Sequence, residues 1–153
     1  MGDGGTRPPD SQPTGKDDVM RFMLLQNYGE VESHCAPMTE WTPEEVQAHI
    51  AFQVALNQEL FERGELVDAQ GLAGPDAAKF VVWDGSGAAP VVTDGPFPES
   101  KELLAGSRIV DVESPARAIE IAAKASAAPG PGGAPILQPI EVREVMGAPD
   151  PEM

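Results

Sequence analysis

The chain is short of cysteine, histidine, aromatic residues and positive charge, and each shortage removes a class of function. A single cysteine, Cys35, excludes an intrachain disulfide, and the setting expected from that is a reducing, cytoplasmic one. His34 and His49 are the two histidines. With one cysteine beside them they supply too few ligands for an ordinary zinc site, so no metal is expected. Ten basic residues stand against 25 acidic ones, for a net charge of −15. Binding DNA or RNA needs clustered Lys and Arg to neutralise phosphates, so nucleic acid is not an expected partner. An anionic membrane surface is excluded by the same charge. No apolar run approaches the ~18 residues of a membrane span, and the N-terminus has no signal-peptide core. Aromatics are 5% of the residues, which leaves Val, Leu, Ile, Ala and Met to fill the interior. There is no phosphate-cradling P-loop, no GxGxxG fingerprint and no GxSxG elbow, so no nucleotide cofactor is expected.

What is present reads as one domain. A chain of 153 residues that is 41% hydrophobic can bury a core without disulfides. Residues 1–17 are Gly, Pro, Asp, Ser and Thr with almost nothing apolar, and are expected to be disordered, as are residues 147–153. The domain is therefore expected over residues 18–146. Val19–Asn27 reads as a first strand. Tyr28–Thr42 is a long loop carrying His34 and Cys35, which read as an incidental pair. Thr42-Pro43-Glu44-Glu45 opens a long helix with a cap, a proline in the first turn and acids at the positive end. That helix should stop at Gly64. Leu66–Leu72 is the next strand. Phe80–Asp84 and Pro90–Thr93 should pair across a Gly85-Ser86-Gly87 turn. Ser107–Val112 is a further strand. Ser114-Pro115 opens a second helix reaching about Ala127, and Gln138–Val145 is the last strand. The order describes an α+β fold: a ferredoxin-like antiparallel sheet with two helices on one face. Two helices cannot cover both faces, so a homodimer pairing sheet to sheet is expected.

Val91-Val92 runs into Thr93-Asp94-Gly95-Pro96-Phe97, followed by Glu99, Lys101 and Glu102 and then by Ile109-Val110-Asp111-Val112. Pro96 must stop a strand, because its φ is fixed and it has no N–H for a ladder. Glu99–Leu104 is expected to make a short helical turn. This stretch resembles the DGPF branch of the YciI-like, or YCII-related, proteins, and the likeness extends over roughly residues 20–145. The resemblance implies a dimeric α+β barrel. It also implies, for some members, a His–Asp pair. Counted back from Gly64, His49 lies about one helical turn before that family histidine, and Gln53 stands in the matching region.

Candidate site residues come from the first helix and the strands facing it. Projected at 100° per residue, Val46, Ile50, Val54 and Phe61 form one flank of its buried face, and Phe52, Leu56 and Leu60 the other. His49, Gln53 and Asn57 run between them at i, i+4 and i+8. Such a stripe needs protein groups, water or a ligand as partners. His49 is the candidate acid or base. Asp94, ending a strand at a Gly-Pro turn, is the second catalytic candidate. Ser107 and Arg108 stand where the resemblance implies aromatic residues, and their side chains must point to opposite faces. Arg108 can fork onto a carboxylate of a ligand or of the protein. Gln53, Asn57, Arg108, Ser107 and Lys101 complete the expected substrate-binding set.

Two functions fit these residues. One is a small cofactor-independent enzyme doing proton-transfer or elimination chemistry on a small polar or aromatic molecule, with His49 as acid or base, Asp94 orienting and Arg108 holding an anion. The other is a non-catalytic ligand-binding or accessory protein that keeps the same pocket.

Overall fold

The computed structural model describes residues 19–29, 40–95 and 102–148. The expected terminal tails lie outside these residues but for Gly147 and Ala148. So do most of the 28–42 loop, with His34 and Cys35, and residues 96–101, with Lys101 and the Pro96-Phe97 half of the turn motif.

The chain runs β1 (Met20–Gly29), α1 (Pro43–Glu62), β2 (Leu66–Gly71), β3 (Lys79–Val82), β4 (Val91–Asp94), β5 (Glu102–Val112), α2 (Pro115–Ser126) and β6 (Ile140–Glu144). α1 begins where the sequence places it. Thr42 Oγ1 accepts from the Glu45 N–H at 3.1 Å while Glu45 Oε1 accepts from the Thr42 N–H at 2.9 Å, a reciprocal capping box. It ends as cleanly. Gly64 takes φ +75°, its N–H donates to Phe61 O, and the Glu65 N–H donates to Leu60 O. That is a Schellman end, and a residue with a Cβ would be strained at this φ. Ser114 caps α2 by accepting from the Arg117 N–H at 3.2 Å, ahead of Pro115.

β2, β5, β1 and β6 form an antiparallel sheet in that order. With α1 after β1 and α2 after β5, this is the ferredoxin-like arrangement. Both helices lie on one face. Leu56 and Leu60 of α1 and Ala118, Ile121, Ala122 and Ala125 of α2 share one buried cluster with Phe22 and Leu24 of β1 and Val110 and Val112 of β5. Alternation along the strands sends Met23, Leu25, Ser107 and Ile109 to the opposite face. There Met23 and Ile109 pair directly, with Asp68 of β2 on one side and Arg143 of β6 on the other.

Three expectations need correction. Glu102–Leu104 are strand and not helical turn, because their backbone pairs with Gly29, Tyr28 and Asn27 at the far end of β1. Ladder pairing overrides the local preference there. β3 and β4 pair as expected, but as a separate two-stranded sheet. Finally, one flank of α1 is not buried. Ile50, Val54 and Phe61 are 53%, 61% and 67% exposed, so the polar stripe starts within the buried arc at His49 and leaves it, with Gln53 and Asn57 half-buried at its border. The buried residues of α1 are His49, Leu56 and Leu60, a narrower arc than its apolar positions span.

Candidate functional site

The stripe on α1 meets the sheet at Arg108. β5 sends Val110 and Val112 into the core, and the same alternation points Arg108 at α1. The residue is 8% exposed. Its Nε donates to Asn57 Oδ1 at 2.7 Å, and its Nη2 donates to Gln53 Oε1 at 2.5 Å, with Gln53 O at 3.5 Å. Every partner is a neutral oxygen. No carboxylate pairs with Arg108 among the described residues, and burial alone pulls its pKa below the usual arginine value.

A guanidinium can only donate, so it fixes both amides with oxygen inward. The Gln53 amide nitrogen is thereby turned to His49, 3.3 Å from Nε2. His49 Nδ1 lies 3.1 Å from Pro129 O. A carbonyl only accepts, so the proton sits on Nδ1, and Nε2 receives the Gln53 N–H. The result is one directed chain from Arg108 through Gln53 and His49 to the backbone. His49 is 7% exposed, with the Trp41 ring edge-on at a centroid distance of 5.5 Å.

The carbonyl that ends the chain belongs to the turn after α2, whose role the sequence reading missed. Glu45 Oε2 accepts from the Gly132 N–H at 2.8 Å, which ties this turn to the first turn of α1. Gly130 N–H donates to Ala134 O at 2.7 Å within it. A Cβ on Gly130 would come within 2.9 Å of Ile136 Cγ1, so the glycine permits the close fit. The Pro129–Gly133 composition was the available signal, since two prolines make such a loop rigid enough to hold a carbonyl in place.

The structure brings His49, Gln53, Asn57 and Arg108 together and leaves the other candidates elsewhere. Ser107 is adjacent to Arg108 in sequence but pairs opposite Leu25 and Gln70 on the other sheet face. The Asp94 side chain is 79% exposed on the β3–β4 hairpin, where its carboxylate takes the Lys79 ammonium at 2.5 Å. No hydrogen bond or ion pair links Asp94 to His49, Gln53, Asn57 or Arg108. Lys101 lies outside the described residues. Among the described residues no group of three His, Cys, Asp or Glu side chains could hold a metal ion, and no helix is long and apolar enough to cross a membrane.

A small α+β domain with a polar network at the edge of its helix–sheet interface is the class that this geometry defines. A family model for the YCII-related domain matches residues 20–133, most of the chain, and the chain belongs to that family. No curated protein matches it.

Proposed function

We propose that this YCII-related protein, of the DGPF branch, binds a small molecule at the α1 edge of the sheet without catalysing its conversion, and does so as a homodimer. The observation that carries the reading is the placement of a buried cation among neutral amides where an apolar side chain would fill the same space. Such a network costs stability unless its donors are used. The enzyme reading, with His49 as acid or base and Asp94 beside it, has weaker support. Both ring nitrogens of His49 are engaged by protein groups, and Asp94 is paired with Lys79 on a separate hairpin.

The test is a search for small molecules that raise the melting temperature of the full chain, followed by recovery of each binder. Binding to the folded state alone adds about 2.7 kcal/mol at a hundredfold excess over Kd. Recovery of an unchanged ligand supports the reading. Turnover that is lost in a folded His49→Ala variant overturns it in favour of the enzyme. Homodimerisation is argued from the open sheet face, where Met23, Leu25 and Ile109 are only partly buried. Light scattering at micromolar concentration should give twice the chain mass of 16.1 kDa, and a monomer would remove the dimer. The reducing cytoplasm remains the proposed compartment, on the single cysteine.

A further inference from the structure

Resting on the homodimer proposed above, we infer that the β3–β4 hairpin is an arm that packs against a second copy of this chain. The hairpin is a two-stranded sheet by itself, and two strands alone are marginal in water. Its register sets Val82 opposite Val91 on one face and Val81 opposite Val92 on the other. Val81, Val82, Val91 and Val92 are 60%, 68%, 63% and 58% exposed, and Trp83 beyond them is 56% exposed. None of the five joins the buried cluster or packs on it. Among the described residues, every side-chain hydrogen bond and ion pair of residues 81–94 closes within the hairpin. Lys79 donates to Asp94, the Trp83 indole N–H donates to Ala88 O, and Asp84 and Ser86 accept from the backbone of the turn. Phe80 differs, being half-buried at the foot of the hairpin. A Cβ on Gly95 would collide with its ring, so this glycine lets the ring settle there. The arm is anchored at its foot and bare above it.

Area and charge point to the occupant. Five such side chains make a patch of several hundred Å², the size that marks an interaction site. A stable dimer buries about 800 Å² on each partner. The open sheet face has little apolar area left to give, because Met23, Leu25 and Ile109 are already partly buried within one protomer. The arm supplies what that face lacks. A second copy also brings a second net charge of −15, so its approach is least opposed where the surface is neutral. The arm is such a surface. Lys79 offsets Asp94, and Asp84 is the one other charged residue from 79 to 95. A partner recognised by its charge, nucleic acid included, would find nothing there to read. A ribbon bare on both faces has no hollow to enclose a small molecule. Two arms exchanged about a twofold axis would each be covered by the other protomer, and assembly would close at two chains.

The test uses equal amounts of uniformly ¹³C-labelled and unlabelled full chain, mixed in urea and refolded together. Isotope-filtered NOEs are then recorded, and light scattering is measured on the same sample. Expected are a dimer and NOEs from the methyls of Val81, Val82, Val91 and Val92 in one copy to protons of the other. A Val82→Thr, Val91→Thr double variant, which keeps the strand preference, should weaken dimerisation at least tenfold in Kd. Ile50→Thr, at a comparably exposed apolar position on α1, should leave it unchanged. The NOEs need no variant, so they decide the question even where the double variant fails to fold. A dimer without intermolecular NOEs at these four valines overturns the arm and leaves the sheet-to-sheet dimer standing. A chain that stays monomeric at micromolar concentration overturns both.

Discussion

Two arginines, Arg108 on β5 and Arg117 on α2, are held in opposite ways. Arg117, in the first turn of α2, donates from Nε and Nη2 to the two oxygens of Glu65, each at 2.9 Å, and from Nη1 to Glu120 at 3.1 Å. Each of its nitrogens is used. The pair of carboxylates raises its pKa above the usual arginine value, and Arg117 in turn holds the Glu65 carboxyl below the usual carboxylate range. Arg108 is no more exposed, yet it faces only amide oxygens, and burial lowers its pKa. Arg117 closes a joint between the start of β2 and α2. Arg108 leaves one nitrogen unspent at the edge of α1. The difference teaches how to tell a structural cation from one kept for something else: count the charges set against it and the donors left over.

The comparison can be broken by substitution. The largest effect is expected from Glu65→Gln, which strands a nearly buried Arg117 without its bidentate partner. It should lose about 3–5 kcal/mol in urea unfolding. Arg108→Leu removes a cation that has no counter-charge, and leaves two half-buried amide oxygens that can turn towards water. A loss of about 1–2 kcal/mol is expected. If the two variants proved equally unstable, Arg108 would have to have an acid partner after all. Acid should sharpen the contrast further. Because the folded-state pKa of Glu65 is lowered, its contribution is complete above the unfolded value of about 4.3 and is lost as pH falls through the lower, folded value. Stability of the parent protein should therefore drop across that window more steeply than that of Glu65→Gln, while Arg108→Leu should follow the parent. Superimposed parent and Glu65→Gln profiles would contradict the pairing. The smallest effect is expected at Glu45, whose carboxylate is held below its usual range by the backbone N–H groups of Gly132 and Thr42. Glu45→Ala removes half of a capping box and the tie to the Pro129 turn. About 1 kcal/mol should go in thermal melting, with slower-relaxing His49 ring signals as the carbonyl loosens.

Much of the fold was legible because its signals are local. Thr42-Pro43 with Glu45, Gly64 and Ser114-Pro115 fix the helix ends through hydrogen bonds made within a few residues. Alternation in Met20–Gln26 and Ser107–Val112 fixes which residues face the helices, and it separated Arg108 from Ser107 correctly. What was not legible depends on distant groups. The start of β5 at Glu102 is decided by the far end of β1. The burial of α1 is decided by how much of it the rest of the chain covers, and periodicity alone could not say that Ile50, Val54 and Phe61 would stay exposed. In the site, the spacing of His49, Gln53 and Asn57 announced a shared face. Which atoms meet was set by Arg108, 51 residues beyond Asn57, and by Pro129, 80 residues beyond His49. Asp94 looked like a site residue because its turn is distinctive, but a distinctive turn says where the backbone goes and not what the carboxylate faces.

The central claim is that Arg108, by fixing the amides, fixes the hydrogen-bond direction through Gln53 to His49. A long-range proton–nitrogen spectrum of the His49 ring at neutral pH tests it most directly. The account predicts a neutral ring protonated at Nδ1, with an unprotonated Nε2 that accepts from Gln53, and loss of that preference in Arg108→Leu. A ring protonated at Nε2 would mean that the Gln53 amide is turned the other way, and the directed chain from Arg108 would not exist.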